Sequence, residues 1–134
     1  MVVALCLLAL VATGCGGAPR DSTKSFKGED QKVAVVVEQL EKAARADKAA
    51  TVCTTLLSDT LLATLKKLGT TCTTGVKDAF ADADSFDLTV DDVAISGDTA
   101  TAKVISGTGS KEKTDTLELQ RAGATWKIAS LRPS

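Results

Sequence analysis

The chain has 134 residues, 16 Lys and Arg against 17 Asp and Glu for a formal net charge of −1, and an apolar share of 44% of which little is aromatic. Charge this evenly balanced supplies no basic stripe, so nucleic acid is not an expected partner, and the protein surface itself has little hold on an anionic membrane. With no His and no Tyr, the imidazole and phenol that serve many acid–base and metal sites are missing; no metal and no cofactor are expected. The few aromatics also argue against stacking sites for nucleobases.

The first element is an uninterrupted apolar run, Val2 to Ala12, followed by Thr13-Gly14-Cys15 and then Gly16-Gly17-Ala18-Pro19. A spanning helix needs about 20 apolar residues. This run ends after roughly half that, and small residues before a cleavage point suit a signal peptide. The segment resembles the lipobox of bacterial lipoproteins. It departs from that pattern in having Ala12 three positions before the cysteine and no Lys or Arg ahead of the run. The resemblance implies that residues 1–14 are a lipoprotein signal peptide and that Cys15 becomes a diacylated N-terminus. The protein would then be held extracytoplasmically on the bacterial cell membrane by its lipid. A conventional secreted protein and a membrane-spanning helix are the alternatives.

Removing Cys6 with the signal peptide and Cys15 to lipid leaves Cys53 and Cys72, and an even pair in an exported domain is most simply a disulfide. Two free buried thiols are the alternative.

Residues 15–28 read as the lipidated cysteine and a flexible tether, Gly- and Pro-rich at first and then polar. Residues 29–134 read as one domain. From Glu29, Val33, Val36, Val37, Leu40, Ala43 and Ala44 recur at helical spacing and predict a long amphipathic helix. Asp47 is the expected N-cap of a shorter helix carrying Val52, Cys53, Leu56 and Leu57. Ser58 or Asp59 would cap a third helix with Leu61, Leu62, Leu65 and Leu68, stopped at Gly69. Thr70 to Thr74 is ambiguous, and a short helix through Val76, Ala79 and Phe80 follows. A Cys53–Cys72 bridge would pin the second helix to the fourth.

The period then changes to two. Phe86, Leu88 and Val90 alternate, and Val93 and Ile95 alternate one step out of phase, which predicts a bulge at Asp91-Asp92. Gly97-Asp98 marks a hairpin, with Ala100, Ala102 and Val104 on the next strand. A Lys-rich loop from Gly107 leads to a strand with Leu117 and Leu119, a turn at Ala122-Gly123, and a last strand with Trp126 and Ile128. The predicted class is α+β: N-terminal helices packed on a curved antiparallel sheet of about four strands.

These elements, with Val93-Ala94-Ile95-Ser96-Gly97-Asp98 and Gly123-Ala124-Thr125-Trp126-Lys127-Ile128, resemble the nuclear-transport-factor-two-like superfamily, and within it small bacterial lipoproteins of unassigned function. The resemblance covers about residues 29–131. It implies a cone with a pocket between helices and sheet, and dimerisation through the sheet in many members, so a homodimer is an expectation. The early strand often found among the superfamily's helices has no counterpart. The His and Tyr of its enzymes are missing, so no catalytic residue carries over.

Phe80, Phe86 and Trp126 are the candidate pocket-lining residues, but for Trp126 the favoured reading is a plug in the helix–sheet core with its N–H on one partner. Asp78, Asp82, Asp84, Asp87, Asp91 and Asp92 lie close together in sequence without matching a calcium loop. They read as a solvated helix end and strand edge, as Lys111–Lys113 read as a charged hairpin tip. The expected function is non-enzymatic: an envelope domain that binds a small apolar ligand or a protein partner. A structural, dimerising role and an aspartate-dependent enzyme are the alternatives.

Overall fold

The structure is a computed structural model and describes residues 21–133. The signal peptide expected over 1–14 and the lipidation site Cys15 lie outside the described residues. Four helices precede four strands: α1 (Gly28–Arg45), α2 (Ala49–Thr51), α3 (Asp59–Lys67), α4 (Cys72–Asp82), β1 (Leu88–Ser96), β2 (Thr99–Ser106), β3 (Lys113–Ala122) and β4 (Thr125–Pro133). The strands form one open antiparallel sheet in the order β1-β2-β3-β4. The class is therefore α+β, as the change of period from 3.6 to 2 predicts.

Residues 21–27, expected as tether, belong instead to the folded domain. Ser22–Ser25 form a 3-10 turn, Thr23 is buried, and the Ser22 hydroxyl accepts the Val90 N–H at 3.1 Å. The physical reason is the outer edge of β1. Its Val90 N–H has no strand on that side to pair with, and the polar segment supplies the acceptor.

In α1, Val33, Val36, Val37, Ala43 and Ala44 form the buried stripe. The buried Glu41 carboxylate is satisfied by Arg45, whose Nε donates to it at 3.0 Å, and Arg45 also pairs with Asp87 just before β1. The end of α1 corrects the reading of Asp47. That residue adopts φ 52°, its N–H bonds to the Ala44 carbonyl at 3.1 Å, and the Lys48 N–H bonds to that of Ala43 at 2.8 Å. Asp47 thus closes α1 in a Schellman motif, since aspartate tolerates the left-handed region better than most residues. It does not cap α2, whose N-terminal position belongs to Lys48 without a side-chain bond.

The second helix is largely a π-helical turn, Val52–Leu56. Thr54 and Thr55 bond back to the carbonyls of Ala50 and Thr51, and Leu57 leaves the helix to bridge Ile128 in parallel fashion. Ser58 then caps α3, accepting from the Leu61 N–H at 3.2 Å. Gly69, at φ 77°, ends α3 in a second Schellman motif, with its own N–H on Lys66 and that of Thr70 on Leu65. The ambiguous threonine stretch resolves with Thr71 as the cap of α4.

In the sheet, the bulge falls between Val90 and Asp92. It keeps Val93 and Ile95 in register with Ala102 and Ala100, on the face that also carries Val90 and Val104. A second bulge interrupts β3–β4 between Glu118 and Leu119. The covered face presents buried Val90, Ala100, Ala102, Val104, Leu117, Leu119, Trp126 and Ile128 to the helices. Among the described residues the buried core runs from Val33 to Ile128. The opposite face of the sheet carries Thr101, Lys103, Thr116 and Glu118, all at least partly exposed.

Candidate functional site: a helix–sheet cavity with a charged rim

Because α3 and α4 contribute only Val76 to the fully buried set, they stand over the sheet without filling the space beneath them. A cavity of about 550 Å³ remains, walled by Leu40, Val52, Leu57, Leu61, Leu65 and Ile128 among others. That volume lies within the roughly 300–1,000 Å³ of small-molecule sites. Phe80 and Phe86 line it, their rings 5.8 Å apart in edge-to-face packing. They leave the gap open because they stack on each other rather than across it.

The Cys53 and Cys72 sulfurs lie at bonding distance, 1.98 Å. They join the π-helical turn to the first residue of α4, which fixes one wall of the cavity against another.

The polar residues of the lining come from 82–85, 106 and 111–115. The antiparallel register puts these at one end, since Leu88 opposes Ser106 and Ser106 opposes Lys113. There the Lys113 ammonium donates to Asp84 at 2.7 Å. This contact holds the Asp84 carboxyl below its ordinary range and raises Lys113. Gly107 shapes the same end. It sits at φ 81°, and a Cβ there would stand 2.8 Å from the Lys111 carbonyl oxygen. Its N–H bonds to the Asp87 carbonyl at 3.2 Å, tying the β2–β3 turn to the start of β1.

Trp126 is not among the residues lining this cavity. It is buried on β4 and borders a separate depression of about 320 Å³, beside Gln31, Lys32, Val35 and Thr55. Its indole N–H donates to Glu29 at 3.1 Å. Arg121 donates to the same carboxylate at 2.9 Å, and its guanidinium lies 4.4 Å from the indole centroid. Hydrogen bonds from Lys32, then Trp126, then Arg121 hold the Glu29 carboxyl down to about 2. Glu29 sits in the first turn of α1, where the helix dipole also favours a carboxylate. The cluster is a strut between α1 and the β3–β4 hairpin. Trp126 is thus the buried core residue favoured for it, its N–H on one partner at the helix N-terminus, and as a candidate pocket-lining residue it is corrected, since it stands apart from Phe80 and Phe86.

The run of aspartates does not converge. Asp84 pairs with Lys113, Asp87 with Arg45, and Asp91 with Lys103 at 3.4 Å. Among the described residues, no three His, Cys, Asp or Glu are grouped to hold a metal ion. No helix among them is long and apolar enough to cross a membrane. The polar end of the cavity had a signal in the sequence, the Lys111–Lys113 loop, but only the sheet register shows that it meets Asp82–Ser85. Comparison of the chain with protein-family models, with curated proteins and with solved structures gave no match.

Proposed function

We propose that this chain is a non-enzymatic, lipid-anchored cell-envelope domain of nuclear-transport-factor-two-like architecture that binds a small apolar ligand between its helices and its sheet. The observation that carries this reading is the cavity of about 550 Å³ with an apolar wall. Its carboxylates support binding rather than chemistry: Asp82 and Asp84 are exposed at the polar end, and Asp84 is engaged by Lys113. A general acid or base needs a perturbed group aimed at a bound substrate. The open face of the sheet, with Thr101, Lys103, Thr116 and Glu118, favours the cavity over a sheet-face partner or homodimer, whose interface core would be depleted in charge. The lipobox resemblance places the anchor at Cys15.

The full chain should enhance the fluorescence of the apolar dye N-phenyl-1-naphthylamine, saturably. The gain should be lost when Leu61→Trp fills the cavity. Dye binding that is absent, or equal in the variant, would remove the ligand-binding reading. Metabolic labelling with an alkyne fatty acid should tag the full chain and fail with Cys15→Ser; labelling that survives the substitution would remove the anchor.

A further inference from the structure

The lining is polar at one end only, and the chain outside the described domain begins near that end. Asp21 precedes Ser22, whose hydroxyl is bonded to the Val90 N–H. Val90 is two residues, about 7 Å, along β1 from Leu88 of the cavity lining. Asp21 is six positions after Cys15, so a lipid on Cys15 lies within about 20 Å of the domain's point of entry. A domain tethered so closely at this side keeps its polar cavity end near the bilayer surface.

The chemistry of the wall narrows what can enter. Apart from the polar end, the lining is built from Leu, Val, Ala, Ile, Gly and Phe. Among the described residues no buried side-chain polar atom lacks a partner, so none waits inside for a ligand group. A ligand with polar groups along its length would bury them unpaired, each at the cost of its lost hydration. The buried part of the ligand is therefore plain hydrocarbon. At the polar end, Asp82, Asp84 and Asp115 stand beside Lys111 and Lys113, a mixture that keeps a head group in water without selecting one sign of charge.

We infer that the ligand is a single-chain membrane amphiphile, its acyl chain in the cavity and its head group at the Asp84–Lys113 end, taken from the leaflet that holds the anchor. This rests on the ligand-binding reading above and names its ligand class. The Asp84–Lys113 contact links the segment after α4 to the start of β3, and the acyl chain enters beside it.

The test displaces N-phenyl-1-naphthylamine from the full chain with saturated fatty acids of increasing length and with lysophosphatidylcholines of matched chains. Affinity should rise about fourfold per methylene and level off once the cavity is full. The two head groups should give the same chain-length dependence. Leu65→Phe, a smaller addition than Leu61→Trp, should shorten the chain at which the rise stops, with circular dichroism confirming that the variant is folded. Dye binding with no displacement, or displacement independent of chain length, overturns the amphiphile while leaving the broader reading intact. An absence of dye binding overturns both. Equal displacement by a compact fused-ring hydrocarbon of similar volume also overturns the acyl-chain assignment.

Discussion

Reduction of the Cys53–Cys72 bridge is the perturbation whose size follows most directly from the structure. The two cysteines are separated by 19 positions. On the chain-entropy account, a loop of that length stabilises the fold by about 3 kcal/mol. For a domain of about 110 residues, each kcal/mol moves Tm by about 4 °C, so reduction should lower Tm by about 12 °C. The loss should also be local. Within α4 only Val76 is fully buried, so the bridge is a principal attachment of that helix to the π-helical turn. Amide exchange in α4 should accelerate on reduction more than exchange in the sheet. Thermal unfolding with and without a phosphine reductant measures the first effect, and Cys53→Ala/Cys72→Ala should reproduce it without reductant. Coincident melting curves, or thiols that react with Ellman's reagent in the untreated folded protein, would refute the reasoning.

Other perturbations test other parts of the fold. The Glu29 carboxyl is depressed from an ordinary 4.5 to about 2, so its contribution is fully present above pH 4.5 and is lost as pH falls from 4.5 towards 2. Acid titrations of Tm should therefore show the gap between wild type and Glu29→Gln closing over that interval; a constant gap would exclude the strut. Ser58→Ala removes the cap of α3 and should cost about 1 kcal/mol in urea denaturation. Leu119→Ala, at a side chain only 1% exposed, should cost about 3 kcal/mol with little change in m-value. Gly107→Ala should destabilise more than Gly97→Ala, since both are left-handed but only the first brings a Cβ against backbone. Strain alone is worth about 1–2 kcal/mol, and equal losses would show that the Lys111 contact yields freely.

The fold was legible wherever period and burial coincide. The stripe from Val33 to Ala44 gave α1, and the phase slip between Val90 and Val93 located the first bulge. The second bulge had a comparable trace, since Ile128 and Leu131 stand three apart yet oppose Leu119 and Leu117 in register. Asp47 misleads because aspartate serves both as an N-cap and as a left-handed terminator, and only the hydrogen bonds to Ala43 and Ala44 decide between them. The segment 21–27 reads as tether because its attachment is a side-chain bond to a strand edge, which leaves no periodicity. Phe80 and Phe86 were candidates for the cavity only through the pocket that the superfamily resemblance implies. The burial of Trp126 was legible, but its partners Glu29 and Arg121 were not, because they are 97 and 5 positions away and meet it only through the sheet and α1.

The central claim is an occupied helix–sheet cavity, and native mass spectrometry of the full chain after exposure to a bacterial lipid extract tests it most directly. The account predicts a small-mass adduct that survives desalting, fragments as a single-chain amphiphile, and disappears in Leu61→Trp. A bare protein in both forms, or an adduct retained equally by the filled variant, would contradict it.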